Sequence, residues 1–74
     1  MTYSADDVRM VEEHIVQGER HIVRQQELID RLRGRGLPTG SAEELLEEFR
    51  ETLKQHWDHR TAMLEAISVS RKPA

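Results

Sequence analysis

The chain has no cysteine, only two prolines, and one each of tryptophan, tyrosine and phenylalanine among 74 residues. Without thiols it is neither a disulfide-built secreted mini-protein nor a cysteine-type zinc finger, and a cytoplasmic setting is expected. No apolar run approaches the ~18 residues of a bilayer-spanning helix. The start, Met-Thr-Tyr-Ser-Ala-Asp-Asp, has neither the basic segment nor the apolar core of an export signal, so no membrane is expected. A strong field of one sign is lacking too. Eleven basic against fourteen acidic residues leave a formal charge of -3, which does not invite a phosphate backbone, and nucleic acid is not an expected partner.

What the chain does have is charge and regular apolar spacing. Hydrophobic residues make up 36% and charged residues 34%. One domain over residues 1–74 is expected, with a core too thin to stand comfortably as a monomer, and 71–74 as a frayed tail. Ser4 and Asp7 stand at capping-box spacing and open a first helix, about 4–34. Within it Val8, Val11, Ile15, Gly18, Ile22, Gln25, Ile29 and Leu32 recur at three-four intervals, a heptad seam of a and d positions. Gly34-Arg35-Gly36-Leu37-Pro38 stops the pattern. Thr39 or Ser41 caps a second helix, about 40–69, whose seam runs through Ala42, Leu46, Phe49, Leu53, His56, Arg60, Met63 and Ile67. Two long helices joined by so short a link fold back on each other, so the expected class is all-α: an antiparallel two-helix hairpin.

A turn centred near Leu37 and Pro38 makes facing residue numbers total about 75, with e rows facing e rows and g rows facing g rows. This register sets Ile29 on Leu46, Ile22 on Leu53 and Val11 near Met63 or Leu64. It also sets Arg33 against Glu43, Gln26 against Arg50, and Gly18 opposite Trp57 and His56, the glycine making room for a ring. Apolar residues also lie outside the seam: Trp57, Leu64 and Leu45 on the second helix, Leu28, Val16 and Val23 on the first. That arc is wider than one neighbour can cover, so these six are the expected interface of a homodimer forming a four-helix bundle. An unidentified protein partner covering the same arc is the alternative.

The histidines are the only candidate chemistry. His14 and His21 lie in the g row of the first helix, and His56 and His59 at d and g of the second. The register levels His14 with His59 and His21 with His56, so a bundle would gather imidazoles suited to a divalent metal. The Glu-x-x-His signature of di-iron bundles is absent, and the favoured alternative is that His, Gln25 and Arg60 hydrogen-bond to one another and fix the register. Neither a metal nor any other cofactor is therefore assigned. His21 is followed by Ile22-Val23-Arg24-Gln25, not by the Lys and Gly of histidine phosphotransfer domains, and no nucleophile stands beside a His and an acid at recognisable spacing. No enzyme is expected. Arg31, Arg33 and Arg35 beside the turn answer the dipole of the first helix and the acidic start of the second. The lone Gly-x-Gly at 34–36 follows a helix rather than a strand, unlike a nucleotide-binding loop.

Gly18-Glu19-Arg20-His21, Gly36-Leu37-Pro38-Thr39, Leu45-Leu46-Glu47-Glu48-Phe49, and His56 with His59-Arg60 together resemble a group of short, uncharacterised bacterial helical-hairpin proteins over nearly the whole chain. The resemblance implies Thr39 as the second cap and a bacterial cytoplasmic setting, and it implies no activity. The functional expectation is a non-enzymatic, self-associating hairpin acting through protein contacts. A histidine-based metal-binding bundle and a regulatory partner of a larger bacterial protein stand as alternatives.

Overall fold

A computed structural model describes residues 3–71 as two helices packed against each other, α1 (Ala5–Gly34) and α2 (Gly40–Arg71). The capping box is present. The Asp7 N–H donates to Ser4 Oγ (3.2 Å) while the Ser4 N–H donates to Asp7 Oδ2 (2.9 Å), which holds the first turn of α1. At the other end Gly36 has φ 70°, a left-handed conformation that a side chain disfavours. There the Leu37 N–H donates to the Leu32 carbonyl (2.9 Å) and the Gly36 N–H to that of Arg33 (3.1 Å), the paired bonds of a Schellman stop. Thr39, not Ser41, begins α2: its carbonyl accepts the Glu43 N–H at 2.9 Å, and the helix starts at Gly40. That helix runs to Arg71, two residues beyond the expected 69; residues 72–74 of the expected tail lie outside the described residues.

Both seams are where the apolar spacing puts them. Every seam position of α1 and α2 is buried or half-buried, and among the other described side chains of the helices only Gln26 and Ala66 are so. Val11, Ile15, Ile29, Leu46 and Met63 form the buried apolar core. Ile29 and Leu46 border one recess and Val11 and Met63 another. Gln25 is buried in this seam, and its amide donates to the Ala42 carbonyl (2.9 Å), so the one buried polar side chain among the described residues ties α1 to the first turn of α2.

The middle of the hairpin is about one turn away from the expected register. Gly18 faces Leu53, whose Cδ1 would lie 3.2 Å from an added Cβ, rather than Trp57. His56 does line the same groove as Gly18, but His21 pairs with Phe49 and His14 with His56. These contacts set α2 about one turn lower on α1 than a turn symmetric about Leu37 puts it. The Arg33–Glu43 pair expected near the turn is formed, at 2.9 Å. Gln26 and Arg50 border one recess but bond elsewhere, Gln26 to Asp30 and Arg50 to Glu47.

Candidate functional site

The hairpin has two long flanks, one built from the g rows beside the seam and one from the e rows, and they differ in chemistry. On the g flank, α1 presents His14 and His21 two turns apart because they are seven residues apart, and α2 presents His59, with His56 half-buried at the adjoining seam position. Three ring contacts cross between the helices or onto the N-terminal segment. His14 and His56 meet with centroids 5.2 Å apart, His21 stacks on Phe49 at 5.5 Å, and the Tyr3 ring meets His59 edge-on at 6.0 Å. An open groove of about 500 Å³ runs between Tyr3, Met10, His14 and His59, floored by Val11 and Met63. A second, smaller groove that shares His14 lies over Gly18 and is bordered by His21, Phe49 and Thr52.

This arrangement distributes the imidazoles along the flank instead of gathering them. His14 meets His56, not the expected His59, and His21 meets Phe49, not the expected His56. Among the described residues no group of three or more His, Asp or Glu side chains is placed to hold one metal ion, whereas zinc sites draw on three or four ligands. Asp7 borders the groove with His14 and His59, but its carboxylate accepts from the Ser4 N–H. The expected polar network of His, Gln25 and Arg60 is also replaced: Gln25 bonds to the Ala42 carbonyl and Arg60 to Glu12.

The e flank is laced with ions. Arg33 reaches across to Glu43, and Arg60 reaches across to Glu12 (2.9 Å) with its guanidinium 5.7 Å from the Trp57 ring. Arg50–Glu47 adds a pair on the same side. The six expected interface residues are all exposed, from 37% at Leu28 to 57% at Val23. They divide between the flanks by heptad position: Leu28 and Leu45 extend the g rows that carry the histidines, whereas Val16, Val23, Trp57 and Leu64 lie with the e rows. Met10 and Tyr3, which sequence spacing left out, complete the histidine flank, with Met10 58% exposed. Met10 stands one heptad before Gln17 and four before His14, so its place on this flank was readable from spacing. Tyr3 precedes the helix, where periodicity has no purchase.

No protein-family model, curated protein or solved structure matches the chain. No helix of the described residues is long and apolar enough to cross a membrane.

Proposed function

We propose that this protein is a non-enzymatic helical hairpin that associates with its own copies in the cytoplasm and acts through protein contacts. The supporting observation is the single helical layer. Stable domains pack at least two layers of secondary structure around a core, and here five apolar side chains among the described residues are buried while Met10, Val16, Val23, Leu28, Leu45, Trp57 and Leu64 stay exposed. A second hairpin supplies the missing layer, and a twofold pair giving a four-helix bundle is the simplest closure. The cysteine-free composition supports the cytoplasmic setting.

The test is the concentration dependence of thermal unfolding. Association that stabilises the fold makes Tm rise with protein concentration. We expect a clear upward shift between low and high micromolar protein. A Tm independent of concentration, together with a monomeric mass by light scattering, overturns the proposal.

A further inference from the structure

Building on the self-association proposed above, we infer that the occupant of the histidine flank, with its exposed Met10, Leu28 and Leu45, is a second copy of this chain, and that the ion-paired flank remains in water together with Val16, Val23, Trp57 and Leu64. The distribution of charge distinguishes the two flanks. His14, His21 and Leu28 of α1 and Leu45, Thr52 and His59 of α2 occupy successive g positions without a carboxylate, lysine or arginine. Asp7, next in line, is already held by the Ser4 N–H. Among the described residues no ion pair joins these rows. The e positions instead carry Glu12, Glu19, Arg33, Glu43 and Arg50, with two ion pairs bridging the helices. Covering that flank would take paired charges out of water, which costs more than their mutual attraction returns unless the geometry is excellent.

Charge also selects the partner. The histidine flank is bordered by Arg24 and Arg31 on α1 and by Asp7 and Glu48 on the two helices, two charges of each sign. A polyanion or a polycation finds no field there, whereas a copy of the same surface meets a balanced set in which each residue can face an opposite one across a twofold axis. The outward row of α2, Glu44, Glu51, Asp58 and Glu65, is acidic throughout and repels a copy. Size is sufficient. The hairpin measures 63 × 16 × 14 Å, so a long flank matches the about 800 Å² per partner of an ordinary stable interface. Shape agrees as well, because Gly18 and the groove beside Met10 leave recesses that a partner's side chains fill.

Sedimentation equilibrium on charge-insertion variants tests the choice of flank. Leu28→Glu and Leu45→Glu place a carboxylate on the histidine flank, and Val16→Glu and Val23→Glu place one on the other; all four sites are exposed, and helix content is checked by circular dichroism. Each of the first two should weaken dimerisation at least tenfold, and each of the last two should change it less than threefold. A reversed ranking overturns the assignment. A thiol-labelling experiment gives the same answer without burying a charge, because the chain has no native cysteine. Thr52→Cys should react with iodoacetamide several-fold more slowly at high protein concentration, while Lys54→Cys should not change; equal rates at both concentrations for Thr52→Cys, or slowing at Lys54→Cys alone, overturn it. A chain monomeric at every concentration removes the self-association itself, whereas a dimer disrupted only from the ion-paired flank removes the choice of face alone.

Discussion

Gly18 stands in the middle of α1, where glycine costs about 1 kcal/mol relative to alanine. A Cβ there would lie 3.2 Å from Leu53 Cδ1, closer than comfortable contact, but the neighbour is the tip of a half-buried side chain that can move by tenths of an ångström. The propensity gain and the crowding are therefore comparable. We predict Gly18→Ala within about 0.5 kcal/mol of the native protein, and Gly18→Leu destabilised by about 1 to 3 kcal/mol through overpacking. Trp57 emission should be unchanged in both, because the ring lies on the other flank beside Arg60. Chemical denaturation followed by fluorescence reads both quantities at once.

A second residue-scale expectation moves with the observed burial. Ile22 and Leu53 occupy seam positions, yet both are half-buried in the hairpin, whereas Ile29 is 1% exposed. The cost of removing a side chain grows with the cavity left behind. Ile29→Ala should therefore cost about 2 to 5 kcal/mol, and Ile22→Ala distinctly less. Equal losses in urea titrations would mean that Ile22 is enclosed to the same degree as Ile29.

At the scale of the helices, the ends depend on a few backbone groups that a short sequence pattern specifies. Ser4 and Asp7 satisfy each other's N–H groups, so Ser4→Ala should cost about 0.5 to 2 kcal/mol and open the first turn of α1 to amide exchange. Protection at Asp7 and Val8 unchanged from native would show that the box does not hold that turn. The helices, their seams and both ends of α1 were legible because each follows from local chemistry: three-four apolar spacing, a hydroxyl three residues before a carboxylate, glycine before proline; the cap of α2 was not, because Thr39 and Ser41 are both hydroxyl residues at workable spacing. The axial register was less legible. It depends on how the reversal at Gly36 brings Leu37 to Thr39 back beside α1, and spacing along one helix carries no information about its height on another.

At the scale of the whole molecule, the same limit explains the candidate interface. Heptad position reports how far Val23 or Leu28 lies from the seam, and both were readable as uncovered apolar residues. Their separation onto opposite flanks follows from the same positions, Leu28 at g and Val23 at b beside the e row, whereas the partners each flank brings together depend on the register. Arg33 and Glu43 then join across one flank while His21 and Phe49 stack on the other. The ring contacts of the four histidines arise from the same height of α2 on α1, which is why spacing alone paired them differently.

The hairpin as described is one layer thick, and its account depends on a second copy completing it. Sedimentation equilibrium of the unmodified protein over a range of concentrations tests this most directly. The account predicts a mass twice the 8.7 kDa of the chain at high micromolar concentration, falling toward 8.7 kDa on dilution; a well-folded species of 8.7 kDa at every concentration would contradict it.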